Sequence, residues 1–373
     1  MEYELIFKTN ESIVFVNDFI LKTAYKYFNS VITMKNGKME LFLPKEKISQ
    51  LNEERYNLII RGFDFKKFKE ESIKICTEAI KFKEENLNEM SNEEFIKFLD
   101  RFLEIGGKAV KIYTETEFFH FIKIEEEIKK YIEGKMNFEE IFSKEEELIN
   151  FPEDIRKLAD YIIDMQEFKF ELRKMMNEVW MGESSLLSSI IFQFIKRTGR
   201  EDSPNMTIEE IKDCLNGKSI DVSERASYCY LSWDNEKDKL ILYSGTEAYK
   251  KIKELERDIP KNEVIGNIAC KGYVKGIAKV IQFSLNTEKE IHKVEKGDIL
   301  VASTTGPEMM IAIQKASAIV TDEGGMMSHA AIVSREFGIP CIVGTKYATD
   351  IFKDGDLIEV NANNGVVRKI SSL

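Results

Sequence analysis

The sequence predicts an α+β protein of several domains, with a mainly α-helical N-terminal domain that contains a short β-hairpin and an α/β domain after it. Its 373 residues are enough for two or three domains. The composition changes near residue 260, because 22 of the 25 phenylalanines precede residue 262 and 11 of the 20 glycines follow residue 261. Helix start signals occur in the first part, whereas short β-branched runs between glycine turns occur in the second.

The predicted helical domain covers residues 1–260. Two capping boxes lie in it, Ser91-Asn-Glu-Glu94 and Thr207-Ile-Glu-Glu210. In such a box the first side chain accepts a hydrogen bond from the backbone three residues on, and the glutamate bonds back. Apolar residues at helical spacing follow both boxes, so each predicts a helix.

Further elements of this domain follow from periodicity and turn residues. Apolar side chains recur at helical spacing around residues 65–85 and 153–180, which predicts two more helices. The start of the chain is different. Two strand-like runs over residues 31–43 flank Asn36-Gly37, a pair that favours a two-residue hairpin turn.

The second predicted domain covers residues 262–373, and the polar run 254–263 is the predicted hinge and linker. Short apolar runs separated by glycine turns predict an α/β arrangement. The predicted strands are 274–280, 298–302, 317–321, 340–343 and 357–360, and the predicted helices are 307–315 and 328–337.

Charge, cysteine and histidine content exclude several classes of protein. A net charge of −11 argues against a protein whose partner is nucleic acid. Five scattered cysteines without a CxxC pair, and only three histidines, argue against a metal site and fit a reducing cytoplasm. The start of the chain lacks the pattern of a secretory signal. The longest uncharged stretch, 184–195, is too short to span a membrane, so we expect a cytoplasmic protein without a membrane partner.

The most informative segment is 318–345, which contains Gly324-Gly325 and Ser328-His329. A predicted strand ends at Thr321, a Gly-Gly turn follows, and a helix is predicted to begin near Ser328. His329 therefore stands at a helix N-terminus, where backbone N–H groups and the helix dipole favour an anion such as phosphate. A neutral imidazole is also a nucleophile that accepts and releases a phosphoryl group near neutral pH.

This segment resembles the phosphohistidine signature of the phosphoenolpyruvate-utilising enzymes, which lies in their swivelling, or mobile, domain. The family includes pyruvate phosphate dikinase, phosphoenolpyruvate synthase, enzyme I of the sugar phosphotransferase system and rifampin phosphotransferase. The likeness extends back to Gly266-x-x-Ala269-x-x-Gly272 and Gly297-Asp-Ile-Leu-Val301, and forward to Asp354-Gly-Asp356. It thus covers the whole second domain.

The resemblance implies roles for six residues. His329 matches the histidine that is transiently phosphorylated, Thr305 matches a threonine that orients it, and Arg335 matches an arginine that balances phosphoryl charge. The implied phosphate-binding turn consists of Gly324, Gly325 and Ser328. No metal ligands are implied in this chain.

One loop departs from the family pattern. Thr305 lies in Thr304-Thr-Gly-Pro-Glu308, where relatives carry Thr-Asp-Pro-Asp, so Gly306 stands in place of the first aspartate. The structure of this loop therefore cannot be transferred from the family.

The modules that the chain lacks direct the functional hypothesis. It has no Gly-x4-Gly-Lys-Ser/Thr phosphate loop. There is no room for the ATP-grasp module that loads the histidine in dikinases, and no phosphoenolpyruvate-binding barrel follows. The remaining order is similar to the later two-thirds of rifampin phosphotransferase. The resemblance thus implies the acceptor-binding and phosphocarrier subunit of a dikinase-type phosphotransferase, with ATP and Mg²⁺ on a separate ATP-grasp chain and a small-molecule hydroxyl as the acceptor.

Two other functions stay open at this point. The chain is a phosphohistidine relay, similar to enzyme I, if the helical domain docks a protein acceptor. It is a non-catalytic regulatory homologue if the fold is kept without the reaction.

Several residues have a structural interpretation beside the functional one. Arg335 is also interpretable as a helix residue paired with an acid. His120 is predicted to pack within a helix, His292 to lie on the surface and Cys341 to be a small buried residue. The side chains considered for an acceptor pocket are Trp180, Trp233 and Arg225.

Overall fold

The computed structural model describes residues 2–9, 14–22, 29–36, 38–116, 121–133, 141, 148–180, 184–255, 262–282, 287–326 and 328–370. The chain folds into two compact units, one formed by residues 1–4 and 12–255 and the other by residues 5–11 and 256–373. The first strand, Tyr3–Thr9 (β1), is divided between them. Helices dominate the first unit, and strands and helices alternate in the second, which confirms the predicted fold class.

The first unit contains nine α-helices in the part of the chain that the structure describes. They are Val14–Ile20 (α1), Lys45–Ile60 (α2), Phe65–Lys81 (α3), Asn92–Thr114 (α4), Ile122–Ile132 (α5), Glu153–Trp180 (α6), Leu186–Thr198 (α7), Ile208–Leu215 (α8) and Gly245–Leu255 (α9). The predicted helices around 65–85 and 153–180 are confirmed as α3 and α6. No individual helix was predicted at α1, α2, α5, α7 or α9.

Both predicted capping boxes are present. Ser91 caps α4 and Thr207 caps α8, and in each case the glutamate three residues on bonds back to the backbone N–H of the capping residue. The distance from that N–H to the carboxylate oxygen is 2.8 Å in both boxes. These boxes set the start of the two helices, because they satisfy N–H groups that have no partner within the helix.

An aromatic core joins α4 to α6. Phe95, Phe98 and Phe102 are fully buried along one face of α4. The ring of Trp180, at the end of α6, lies with its centroid 5.3 Å from that of Phe102. Gly106 makes room for this contact, since a Cβ there would lie 3.3 Å from the Trp180 ring. These buried phenylalanines therefore stabilise the helical packing by burial of apolar area.

The first unit also has an antiparallel sheet. Its strands Val31–Lys35 (β2) and Lys38–Pro44 (β3) form the predicted hairpin, with Asn36 at a φ of 51° in the turn. A second hairpin, Tyr228–Asp234 (β4) and Lys239–Ser244 (β5), pairs with β2. The expectation that strands of this unit are confined to the start of the chain was wrong, because β4 and β5 complete a sheet with strands nearly 200 residues away.

Asp18 is a buried carboxylate on α1. Its Oδ2 accepts hydrogen bonds from the Ile208 backbone, at 2.8 Å, and from Lys22 Nζ, at 3.1 Å. Burial raises the pKa of Asp18 above its usual value, because the interior disfavours the charged form. The folded state therefore holds the proton more tightly than the unfolded state. The stability that this group contributes is present below its unfolded pKa and is lost as the pH rises through its folded pKa.

We expect Asp18→Asn to remove this pH dependence. The difference in unfolding free energy, variant minus native, should increase as the pH is raised from 4 to 8, because only the native chain loses the stability that the protonated Asp18 contributes. Urea unfolding monitored by the fluorescence of Trp180, whose ring stacks on Phe19 with centroids 4.7 Å apart, would measure it. A difference that stays constant, or falls, over this pH range would contradict the prediction.

The second unit is built on an eight-stranded mixed sheet, with the order β6-β13-β12-β8-β9-β10-β11-β7. The four central strands β8 to β11 run parallel, and the outer strands are antiparallel to their neighbours. The strands are Glu263–Ile265 (β6), Asn267–Cys270 (β7), Tyr273–Ile281 (β8), Ile299–Ala302 (β9), Ala318–Thr321 (β10), Cys341–Val343 (β11), Leu357–Asn361 (β12) and Val366–Lys369 (β13).

Short helices connect the strands of the second unit. They are Thr287–Glu290 (α10), Met310–Lys315 (α11), His329–Phe337 (α12) and Ala348–Ile351 (α13), and a 3₁₀ turn, Pro307–Met309, precedes α11. All five predicted strands and both predicted helices are confirmed, within one residue or two at most ends. β6, β7 and β13 were not predicted. Of the predicted hinge 254–263, residues 256–261 lie outside the described residues, so the hinge and the domain boundaries stay predictions.

Three of the five cysteines are deeply buried, Cys76 and Cys229 in the first unit and Cys341 in the second. Burial raises the pKa of Cys76 to about 11 and of Cys229 and Cys341 to about 12. Cys214 and Cys270 are partly exposed. Among the helices that the structure describes, none combines the length and the apolar character needed to cross a bilayer.

Candidate functional site

The candidate site lies where three parallel strands end. Loops leave the carboxyl ends of β9, β10 and β11, and backbone hydrogen bonds hold them together just beyond the sheet. The Asp322 N–H donates to the Ala302 carbonyl at 3.0 Å, and the Thr345 N–H donates to the Thr321 carbonyl at 3.0 Å. In open α/β sheets this edge is the usual place for a ligand site.

His329 is the first residue of α12, as the sequence predicts. Ser328 caps the helix, its Oγ accepting from the Ala331 N–H at 3.3 Å. The imidazole is only 6% exposed. Its Nδ1 lies 3.0 Å from the Thr305 Oγ1 in the loop after β9, so the two residues that the resemblance pairs are in contact. Because Nδ1 is engaged by Thr305, Nε2 is the ring nitrogen suited to bond with phosphorus.

Gly324 shapes the turn between β10 and α12. Its φ is +102°, a conformation that residues with a Cβ rarely adopt, and a Cβ there would lie 2.6 Å from that of Ser328. Gly344 approaches the same turn, since its own added Cβ would lie 2.9 Å from the Gly324 carbonyl oxygen. Gly325 is buried, and its carbonyl accepts from the Ser328 N–H at 3.0 Å. The turn therefore brings Gly324 and Gly325 close to Ser328, the residue that directly precedes His329.

Gly324→Ala is expected to lower the unfolding free energy of the second unit by about 1–3 kcal/mol, since the new Cβ combines a disfavoured φ with a clash. Gly338→Ala is the matched control. Gly338 ends α12 at a φ of +63°, but nothing lies within 4 Å of an added Cβ, so only about 1 kcal/mol is expected. Hydrogen exchange across residues 318–338 would measure both. Equal costs for the two variants would contradict the role of close packing at Gly324.

Arg335 lies one and a half turns along α12 and reaches back to the turn. Its Nη1 donates to the Met326 carbonyl at 2.9 Å. The guanidinium therefore contacts the segment that leads into His329. Its role in balancing phosphoryl charge stays a prediction, as do the roles of the other five residues.

Asp322 is a component of the site that the sequence analysis did not identify. It is 3% exposed, and its carboxylate accepts from the Thr349 N–H, at 3.2 Å, and from the hydroxyls of Thr345, at 3.2 Å, and Thr349, at 2.5 Å. It thereby ties the loop after β10 to the loop after β11. The sequence does contain one signal for this residue, because Asp322 directly follows the mainly apolar strand β10. A carboxylate at the end of a buried strand needs hydrogen-bond donors around it.

The side chains considered for an acceptor pocket have other partners. Arg225 is buried and forms a two-bond ion pair with Glu210, at 2.6 and 2.7 Å. Trp233 donates to Asp238 at 3.2 Å near the turn between β4 and β5, and Trp180 belongs to the aromatic core. The structure therefore gives structural roles to all three.

The remaining single residues mostly follow the prediction. His292 is exposed in a 3₁₀ turn and Cys341 is fully buried, as predicted. His120 lies outside the described residues. Within the described ranges, no three histidine, cysteine, aspartate or glutamate side chains form a group that could hold a metal ion.

Comparison with known families bears on the same segment. Residues 294–365 match the family described as PEP-utilising enzyme, mobile domain. This segment is a PEP-utilising mobile domain. The match includes all six candidate residues, from Thr305 to Arg335.

The curated relatives of the mobile domain are longer proteins. A probable phosphoenolpyruvate synthase of Archaeoglobus fulgidus is 42% identical over 167 residues, which are 43% of this chain and 21% of that protein. The phosphoenolpyruvate synthase of Pyrococcus furiosus is 59% identical over 80 residues, 21% of this chain and 10% of that protein. An uncharacterised phosphotransferase of Bacillus subtilis, YvkC, is 26% identical over 309 residues, 74% of this chain and 37% of that protein. The chain thus matches only a minor part of each relative.

Proposed function

We propose that this chain is the acceptor-binding and phosphocarrier subunit of a dikinase-type phosphotransferase, with His329 as the carrier. The observation that supports this most directly is the contact of His329 Nδ1 with Thr305 Oγ1 at the N-terminus of α12, beside the glycine turn. This geometry occurs in a mobile domain of the PEP-utilising enzymes, and the names of the relatives, phosphoenolpyruvate synthase and phosphotransferase, support phosphoryl transfer.

The chemistry of loading follows from the ring. With a hydrogen on Nδ1, directed at Thr305, the Nε2 lone pair attacks phosphorus, and the bond from phosphorus to its leaving oxygen breaks as the N–P bond forms. The phosphohistidine then lies at a helix N-terminus, where backbone N–H groups and the helix dipole offset its negative charge. Phosphoryl transfer needs mainly such positioning and charge compensation.

Unloading reverses these steps on another acceptor. The oxygen of a small-molecule hydroxyl bonds to phosphorus, the N–P bond breaks, and the hydroxyl proton leaves to solvent or a base. We place the binding site of the acceptor in the first unit as part of this proposal. A separate ATP-grasp chain, with its own Mg²⁺, is the proposed source of the phosphoryl group.

Labelling with ATP would test this function. The chain alone is expected neither to hydrolyse ATP nor to bind Mg-ATP with micromolar affinity in calorimetry. With an ATP-grasp chain added, label from the β position of ATP should appear on this chain as an acid-labile, base-stable phosphoramidate. Micromolar binding of Mg-ATP to the chain alone would contradict a split enzyme. Transfer of the label to a protein, instead of to a small molecule, would favour a relay.

A further inference from the structure

Two of the five cysteines face each other across a pair of strands. In the antiparallel pairing of β7 with β11, Cys270 and Cys341 are direct partners in the register. Such partners have Cα atoms about 4.5 or 5.5 Å apart, and their side chains leave the same face of the sheet. A disulfide bond needs Cα atoms about 4.4–6.8 Å apart. The backbone therefore already holds this pair at a separation that a disulfide bond requires.

The pair lies at the edge of the sheet, beneath the helix that begins with His329. The strand β7 is an edge strand, and the register of its ladder shifts between Cys341 and Ile342. The helix α12 packs against both strands, and the Cys341 sulfur lies 3.8 Å from the Ala330 carbonyl oxygen in that helix. A strand that is held on one side, with an irregular ladder, can adjust more easily than a central one. The Cys270 sulfur can thus move toward Cys341 without a rearrangement of the sheet.

The two sulfurs differ in exposure, which sets the order in which they react. Both are thiols in the structure, Cys270 partly exposed and Cys341 fully buried. Burial and, to a smaller extent, the neighbouring Cys270 sulfur raise the pKa of Cys341 to about 12. An oxidant from solution therefore reaches Cys270 first. Cys341 then needs to reach only Cys270, and the high effective concentration of an intramolecular step compensates for its small thiolate fraction.

We propose that Cys270 and Cys341 form a redox modification site, at which a small disulfide such as glutathione disulfide produces a reversible bond that ties β7 to β11. The Cys270 thiolate attacks one sulfur of the oxidant, the S–S bond of the oxidant breaks, and one glutathione thiolate leaves. Cys341 gives up its proton to solvent, attacks the Cys270 sulfur and releases the second glutathione. Two protein thiols are thereby oxidised, and one glutathione disulfide is reduced to two glutathione molecules.

Mass spectrometry of the full chain tests the pairing. The chain is incubated in glutathione buffers of increasing oxidised fraction, quenched with acid, alkylated and digested without reduction. A cross-linked peptide that joins Cys270 to Cys341 is expected to increase with the oxidised fraction and to disappear after dithiothreitol is added. Cys214, which is partly exposed on the helix α8, is the internal control and should keep a single glutathione. If Cys270 also keeps its glutathione, or if the cross-linked peptide is no more abundant than in a chain oxidised after unfolding, the proposal is overturned.

Three variants separate the two chemical steps. Cys341→Ala removes the resolving thiol, so a lasting glutathione adduct on Cys270 should replace the cross-linked peptide. Cys270→Ala removes the exposed thiol, and the buried Cys341 should then stay unmodified over the same time. Cys214→Ala keeps both thiols of the pair and should give the native yield of the cross-linked peptide. Loss of glutathione from Cys270 at the native rate in Cys341→Ala would contradict the role of Cys341.

Hydrogen exchange measures the effect of the bond on the edge strand, and it needs only the native chain. A bond between Cys270 and Cys341 closes a loop of about 70 residues, so openings that separate β7 from β11 become rarer. The amides of residues 267–270 are expected to exchange at least about tenfold more slowly in the oxidised chain than in the same chain after reduction. Equal exchange in the oxidised and reduced chains would overturn the proposal that the bond ties β7 to β11.

Discussion

Replacing His329 by glutamine is expected to abolish the rapid formation of acid-labile phosphate on this chain. Glutamine keeps a polar side chain at the start of α12 but has no nitrogen lone pair that can attack phosphorus, because the amide nitrogen is delocalised into its carbonyl. Incubation with phosphoramidate, followed by phosphorus NMR at alkaline pH, would measure the loss.

The control for this prediction is His292→Gln. His292 is exposed in the Ile291–Lys293 turn and is open to slow, non-specific phosphorylation by the reagent. His292→Gln should leave the rapid phosphorylation, which we assign to His329, unchanged. A fast phase of native amplitude in His329→Gln would show that another residue carries the phosphoryl group, and the proposed function would fail.

Asp322→Ala is expected to have the largest effect on stability. Deletion of this carboxylate leaves the Thr345 and Thr349 hydroxyls and the Thr349 N–H without the acceptor they share in the interior. The expected loss in unfolding free energy of the second unit is about 2–4 kcal/mol, from several hydrogen bonds to one buried charge. The loops after β10 and β11 should then exchange amide hydrogens faster.

The measurement must report the second unit alone. Both tryptophans, Trp180 and Trp233, lie in the first unit, so tryptophan fluorescence does not follow the unfolding of the second. Hydrogen exchange of residues 318–326 and 341–351 is the suitable readout. Glu336→Ala, on the exposed face of α12, is the control and should change the free energy by less than about 0.5 kcal/mol. A similar change in both variants would contradict the role of Asp322.

Local signals explain which elements the sequence predicted. The capping boxes at Ser91 and Thr207 and the Asn36-Gly37 turn act within four residues, so their outcome depends little on the rest of the chain. The strands of the mobile domain are short apolar runs bounded by glycines, and the fully buried ones, β9, β10 and β11, pair in parallel. Such runs stand out in a single sequence.

The elements that were missed depend on distant partners. The strand β4 pairs with β2, almost 200 residues earlier in the chain, and β5 pairs with β4. In α2 the buried face includes Asn52 and Arg55, so the apolar periodicity that indicates a helix is interrupted. Arg55 is satisfied there by Tyr161 on α6 and by Glu115, the residue that directly follows α4.

The residues of the candidate site also fall into those that the sequence indicated and those that it did not. His329, Gly324 and Ser328 could be assigned because they are contiguous, and a turn before a helix has a recognisable pattern. The contact of His329 with Thr305 joins residues 24 positions apart, and only the family resemblance indicated it. Asp322 was missed because its importance lies in burial, which a single sequence does not reveal.

The distribution of the cysteines has a practical consequence for measuring domain motion. A thiol reacts with maleimides only as the thiolate, and burial both blocks access and suppresses ionisation at Cys76, Cys229 and Cys341. The two partly exposed thiols, Cys214 and Cys270, lie one in each unit. The native sequence therefore already offers one labelling site in each unit, to which a donor and an acceptor dye for fluorescence energy transfer can be attached without any engineered cysteine. A labelled chain would report, molecule by molecule, whether the distance between the units changes when His329 is phosphorylated.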